Sequence, residues 1–181
     1  HNGQNYDLSP MNSLHEELLE KLQTRVPKEE YTALCTEDKY LPYLKQICLG
    51  DDHQLNWRAA WLISNMPTED VRLLFPQAQE TIDALSKQTK DGYHREILKI
   101  IKHLPLNEDE EGALYDAASK LWENLALAPA VRLHALRAMV RIARLYPELA
   151  QEILAYNDEH YLQGISAGIA RQVQKEFAGL S

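Results

Sequence analysis

The chain has 181 residues, of which 27 are acidic and 19 are Lys or Arg, so its formal net charge is −8. This length suits a single domain, and no segment approaches the roughly 18 consecutive apolar residues of a transmembrane helix. An evenly acidic surface would repel nucleic acids and anionic membranes, so the distribution of the charges decides which partners remain.

Residue types and apolar spacing predict an all-α protein. The chain contains 28 Leu and 19 Ala against 21 Val, Ile and Thr together, and Leu and Ala favour helices over strands. The polar segment 1–10 lacks periodicity and is interpreted as a flexible leader or an expression remnant, which leaves residues 11–181 as one domain. Helices are predicted, in chain order, from Ser9-Pro10 onward and over 29–35, 39–49, 53–66, 68–87, 93–104, 108–125, 130–146, from 147, and over 161–177.

Polar residues and prolines mark the ends of these helices. Asp51-Asp52, Thr68 and Asn107 are predicted N-caps, because short polar side chains accept hydrogen bonds from the first free amides of a helix. Prolines at 67, 105 and 147 are expected to end helices. The helix after Thr68 is expected to continue past Pro76 to about residue 87.

No pattern in the sequence is typical of a catalytic or metal centre. The chain lacks a Gly-rich phosphate loop, a His-Glu-x-x-His helix and a Cys-x-x-Cys pair. A turn and N-cap explain Asp51-Asp52-His53 better than a metal site does. Cys35 and Cys48 are interpreted as small buried hydrophobic residues, with a bridge between neighbouring helices as the alternative. We therefore expect no enzyme activity, no cofactor and no metal, and a cytoplasmic location is the default.

Three helical segments repeat one pattern. Residues 95–105 align with residues 137–147 at an offset of 42 residues, so that cation matches cation three times and proline matches proline. Residues 57–67 fit the same frame at an offset of 38, and residues 171–177 form a fourth, weaker copy. Periods near 40 residues with two helices each are typical of α-helical solenoids.

The run Asn56-Trp57-Arg58-Ala59-Ala60-Trp61-Leu62-Ile63 resembles the second helix of a HEAT repeat, and residues 30–178 resemble HEAT/armadillo-like helical repeat proteins, among them small bacterial ones. The resemblance implies an α–α superhelix of about four helical hairpins. It also implies a scaffold that binds partners. In such solenoids the second helix of each hairpin, here called the B helix, lines the concave groove, and the first, the A helix, lies outside.

The charges separate between these two sets of helices. The predicted B segments 53–66, 93–104, 130–146 and 163–178 hold ten cations and only two acids, Glu96 and Glu176, so they carry +8 and the rest of the chain −16. Six cations fall at i, i+4 and i+7 on two neighbouring B helices and share a helix face. These six form what we call the basic ladder: Arg95, Lys99, Lys102, Arg137, Arg141 and Arg144. Trp57 and Trp61 occupy the equivalent positions one repeat earlier, and we predict all eight as partner-binding residues.

Two structural interpretations compete with a binding groove. A stripe of charge is usually a solvated helix face, and these cations can instead pair with acids of neighbouring A helices. Trp57 and Trp61 can equally be packing residues. Stacked like charges cost stability, which an anionic partner would relieve, and this favours the binding hypothesis.

The sequence thus predicts a non-catalytic interaction module that binds an acidic or phosphorylated protein or peptide and no membrane. The first alternative is a nucleic-acid binder similar to HEAT-like alkylation-repair DNA glycosylases, which use a basic concave surface, tryptophans and a catalytic Asp. The B segments contain no Asp, and the net charge opposes DNA binding. The second alternative is a structural module whose groove receives the acidic surface of another copy.

Overall fold

A computed structural model describes residues 9–24, 27, 29–30, 33, 37–87 and 91–181. Within these residues the chain forms helices and no strand, which confirms the all-α prediction. No helix in this part of the chain is long and apolar enough to cross a bilayer. In chain order the helices are α1 (Ser9–Gln23), α2 (Leu41–Cys48), α3 (His53–Ser64), α4 (Thr68–Leu74), α5 (Gln79–Ala84), α6 (Asp91–Lys102), α7 (Glu108–Glu123), α8 (Pro129–Leu145), α9 (Ala150–Leu154), α10 (Glu159–Leu162) and α11 (Ala167–Ala178). Single 3₁₀ turns at Asp38–Tyr40 and Pro147–Leu149 precede α2 and α9.

The helices pack as a two-layered stack, as expected for a solenoid. The predicted B helices α3, α6, α8 and α11 each contact the next in that order, and α1 continues the row by packing on α3. On the A side, α2 contacts α4 and α5 contacts α7. One hydrophobic core lies between the layers and extends from Leu18 of α1 to Phe177 of α11.

Two of the predicted N-caps are confirmed and one is wrong. The Asp52 side chain accepts hydrogen bonds from the amides of Gln54 and Leu55, both at 3.1 Å. Asn107 and Glu110 form a reciprocal capping box at the start of α7. Thr68 does not cap α4, because Pro67 occupies the N-cap position and the Thr68 hydroxyl instead lies 2.8 Å from Nδ1 of His103.

Pro76 interrupts the helix that the sequence predicts over residues 68–87. Helix α4 ends at Leu74, and Phe75 adopts φ −121° and ψ 81° before α5 begins at Gln79. Tyr146, which precedes Pro147, has nearly the same backbone angles, φ −127° and ψ 80°. The ring of a proline disfavours helical geometry at the residue before it, and this explains both breaks.

The last predicted helix is also divided. The sequence predicts one continuous helix over 161–177, but α10 ends at Leu162 and α11 begins at Ala167. Gly164 lies between them with φ 71°, a left-handed conformation that glycine adopts at little cost.

Some predictions concern residues outside the described ranges. The predicted leader, residues 1–10, lies outside the described ranges except for Ser9 and Pro10, which begin α1. The helix predicted over 29–35 lies mostly outside these ranges, as does Cys35. Cys48 is a free, fully buried thiol, and burial raises its pKa to about 12, as expected for a packing residue rather than a reactive one.

Cationic side chains close the C-terminal ends of several helices. The last carbonyls of a helix lack amide partners within it and carry partial negative charge. Arg58 donates to Leu22 O at the end of α1, and Lys87 donates to Leu49 O after α2. The buried Arg132 donates to Trp122 O of α7 at 2.8 Å and to Tyr161 O of α10 at 2.7 Å.

The close packing of α3 on α6 generates a prediction about Gly92. A Cβ at this position would lie 2.5 Å from Nε1 of Trp57, so Gly92→Ala should lower the free energy of unfolding by about 1–3 kcal/mol. Gly112 of α7 is the matched control, since its Cβ would meet no atom within 4 Å. Gly112→Ala should raise stability by up to about 1 kcal/mol. Urea denaturation of both variants checks this, and equal stabilisation would show that Trp57 does not pack as described.

Candidate functional site

A pocket of about 460 Å³ opens between the B helices α6 and α8. Four of the six ladder cations line it, together with one carboxylate, one histidine and an apolar floor. We call this cavity the groove pocket; its lining residues are Leu98, Ile101, Lys102, Leu114, His134, Arg137, Ala138, Arg141, Arg144 and Glu176. The helical spacing that predicted a shared face therefore does bring these cations to one cavity.

Lys102 and Arg144 are the exposed cations of the groove pocket. They lie in the last turns of α6 and α8, where positive charge is favoured by the helix dipole. Within the described residues neither side chain has a hydrogen bond or ion pair. Their charge is thus available to a ligand.

Arg141 lines the groove pocket and also holds two helices together. Its Nη1 donates to Ile101 O at 3.0 Å and its Nη2 to Leu104 O at 2.6 Å, so it joins α8 to the C-terminal end of α6. Arg72 closes the same helix end by donating from Nε to His103 O at 2.8 Å. Burial lowers the pKa of Arg141, although a guanidinium remains protonated.

Arg137 is held in place by the last helix. Its Nε lies 3.1 Å from Oε1 of Glu176, and its Nη2 donates to Oε1 of Gln172 at 2.9 Å. These contacts fix the guanidinium and neutralise part of its charge.

The other two ladder cations surround a buried carboxylate. Glu96 is 1% exposed and lies 3.4 Å from both Nε of Arg95 and Nζ of Lys99. The hydroxyl of Ser64 on α3 donates to the same carboxylate. Arg95 and Lys99 do not line the groove pocket, and their first role is to compensate this buried charge.

Trp57 and Trp61, which the sequence predicts as partner-binding residues, both pack against the core and are half-buried. The indole nitrogen of Trp57 lies against Gly92 on the neighbouring helix. Neither tryptophan lines the groove pocket. Their packing role is evident, and partner binding by them remains a prediction.

His134 is a pocket residue that the charge pattern did not reveal. It precedes Arg137 by three residues on α8, so the same helical spacing would have placed it on the ladder face. Burial, followed by repulsion from Arg137, Lys99, Arg95 and Lys102, lowers its pKa to about 4. The imidazole is therefore neutral at pH 7, chiefly because it is buried and to a smaller extent because cations surround it.

The ladder as a whole keeps an excess of positive charge. Its ion pairs in the described part of the chain are made to Glu96 and Glu176, the two acids of the B helices, and none is made to an A helix. Six cations face these two carboxylates, an excess of four positive charges, and the carboxylate of Glu111 on α7 also acts electrostatically on Arg141. The groove is suited to holding an anion, and the described residues contain no cluster of three or more His, Cys, Asp or Glu that could hold a metal ion.

A larger cavity of about 880 Å³ lies on the A side between α5 and α7. Its charged residues are Asp83 and Asp116 together with Lys87 and Lys120, so opposite charges balance there. This balance distinguishes it from the groove pocket.

Comparison with known proteins identifies the repeat type. The model of the HEAT repeat domain family matches residues 14–177, which is nearly the whole chain. The chain matches no curated protein and no solved structure. The family assignment therefore rests on the match to this family model.

The contacts of Arg141 predict a stability cost that its exposed neighbour does not share. Arg141→Met removes two hydrogen bonds to carbonyls and should lower the free energy of unfolding by about 1.5–3 kcal/mol. Arg144→Met, which removes an exposed cation three residues later, should change stability by less than about 0.5 kcal/mol. Chemical denaturation of the two variants measures the difference. Similar values would mean that the Arg141 contacts contribute little.

The low pKa of His134 predicts how stability depends on pH. Between about pH 6.5 and 4 the unfolded chain binds a proton at this histidine that the folded chain does not, so its contribution to stability is lost as pH falls through this range. The stability difference between the wild type and His134→Gln should therefore shift in favour of the variant between pH 7.5 and pH 5. Denaturation at both pH values tests this, and a constant difference would contradict the lowered pKa.

Proposed function

The chain belongs to the HEAT repeat domain family, and we propose that it is a non-catalytic interaction module whose B-helix groove binds an acidic or phosphorylated segment of a partner protein. The groove pocket is the centre of the proposed binding site. Lys102 and Arg144 bind the anionic group directly, and Arg137 and Arg141 supply a fixed positive field around it.

One observation carries this proposal: four cations and one carboxylate line a single pocket. An excess of three positive charges in a partly enclosed site costs free energy, because like charges repel more strongly where water is partly excluded. An anionic ligand removes that cost and gains charge-assisted hydrogen bonds. The neutral imidazole of His134 adds a polar group without adding positive charge.

A protein ligand fits this groove better than a nucleic acid. Continuous phosphate backbones are bound by uninterrupted rows of cations, and affinity grows with each phosphate that is neutralised. Here Glu96 and Glu176 interrupt the row, and the net charge of −8 repels long polyanions at a distance. A short acidic segment avoids both penalties.

Charge reversal at the two unpaired pocket cations tests the proposal. The probes are a fluorescein-labelled hexaglutamate and a labelled phosphoserine peptide, with fluorescence anisotropy at low salt as the measurement. Both should bind the wild type. Lys102→Glu combined with Arg144→Glu should weaken binding at least tenfold, because it converts two attractive charges into repulsive ones.

The control is Lys39→Glu combined with Lys120→Glu, which makes the same change of net charge at exposed positions outside the groove pocket. It should change affinity less than twofold. An equal loss in the control would mean that only overall charge matters. Tighter binding of labelled DNA or RNA than of either peptide would favour the nucleic-acid alternative. Salt-sensitive dimers in light scattering, without peptide binding, would favour self-association.

A further inference from the structure

The floor of the groove pocket is apolar. Leu98, Ile101 and Leu114 are buried beneath it, and Ala138 is half-buried at its edge. A bare anion placed on such a surface loses water without gaining hydrogen bonds from it. The floor therefore suits a ligand whose anionic group is attached to an apolar body.

The charge of the pocket suits a doubly charged group. Lys102, Arg137, Arg141 and Arg144 outnumber Glu176 by three. A carboxylate would neutralise one of these charges, whereas a phosphate monoester carries about −1.5 to −2 at pH 7 and offers three acceptor oxygens. Arginine and lysine both bind phosphate well.

The size of the pocket limits the ligand further. A volume of about 460 Å³ lies in the range of sites that enclose a small organic group. One large side chain with its phosphate fits such a site, and the apolar floor calls for an extended body such as an aromatic ring. The methylene of a phosphoserine would leave most of the floor uncovered.

We infer that the groove pocket binds a phosphotyrosine side chain of the partner protein, with the ring on the floor formed by Leu98, Ile101, Leu114 and Ala138 and the phosphate between Lys102 and Arg144. This inference rests on the proposed function and specifies its ligand. The ring displaces water from the apolar floor, while the phosphate neutralises the excess charge.

Peptides that share one sequence and differ at one central residue test the inference on the full chain. The central residue is phosphotyrosine, tyrosine, phosphoserine or glutamate, and calorimetry or anisotropy gives the affinities. Phosphotyrosine should bind at least tenfold more tightly than phosphoserine or glutamate, because only its ring is buried on the floor. It should bind at least 100-fold more tightly than tyrosine, which lacks the charge.

Small phosphates test the contributions of the phosphate group and of the aromatic ring separately. Phenyl phosphate should displace the phosphotyrosine peptide at a concentration at least tenfold lower than inorganic phosphate does. Displacement at equal concentrations would show that the floor contributes nothing and would overturn the inference. Binding of phenyl phosphate without binding of any peptide would also overturn it, in favour of a small aryl phosphate as the ligand.

Ala138→Leu fills the floor without changing the charge. It should lower the affinity for the phosphotyrosine peptide at least tenfold and the affinity for the phosphoserine peptide less than twofold. Ala117→Leu, a half-buried alanine of α7 in the cavity between α5 and α7, is the matched control and should leave both affinities unchanged. The melting temperature shows whether each variant is folded, and the small phosphates provide a test that needs no variant.

The outcomes distinguish this inference from the proposed function. Equal affinity for the phosphotyrosine, phosphoserine and glutamate peptides, with all three weakened by the Lys102 and Arg144 reversal, would overturn the inference and leave the proposed function standing. Failure of every peptide to bind would overturn both.

Discussion

The stack depends on how the C-terminal carbonyls of its short helices find hydrogen-bond donors. Each helix end presents carbonyls without amide partners, and burying them unpaired would cost stability at every repeat. In this protein, cations from neighbouring elements supply the donors: Arg58 at α1, Lys87 at α2, Arg141 at α6, and Arg132 at both α7 and α10. These bonds join helices within a hairpin and between hairpins, and they require cations at fixed places on the B helices and beside them.

This requirement changes how the difference in charge between the B helices and the rest of the chain is interpreted. A chain of net charge −8 places its cations on the B helices partly because helix ends and a buried carboxylate need them there, as Arg141, Arg95 and Lys99 show. Lys102 and Arg144 make no hydrogen bond or ion pair within the described residues, and the helix dipole alone favours their positions in the last turns of α6 and α8. The basic ladder therefore contains more cations than its hydrogen bonds and ion pairs use. The two unpaired cations lie at the groove pocket.

Much of the fold could be predicted because its signals are local. Apolar spacing, the caps at Asp52 and Asn107 and the repeated prolines set the helices and their pairing. Two predictions from local signals were wrong. The helix does not continue past Pro76, because the proline restricts the preceding Phe75. Thr68 is not an N-cap, because its hydroxyl contacts His103 in place of a helix amide. The role of each cation could not be read from the sequence, because the carbonyls that Arg141 binds belong to a segment 37–40 residues earlier. Helical spacing places His134 on the face of the basic ladder, but a neutral histidine does not appear in a pattern of charges.

The division of the pocket cations into held and free ones also bears on how a ligand would bind. Arg137 and Arg141 are already fixed by hydrogen bonds, so they lose little side-chain entropy when an anion arrives, and they keep a positive field in place before binding. Lys102 and Arg144 must be ordered by the ligand, which costs conformational entropy but lets them adapt to its position. Two adjustable donors beside a rigid positive field can both bind to one compact, highly charged group. The same contacts that hold the hairpins together thus shape the site that a partner would use.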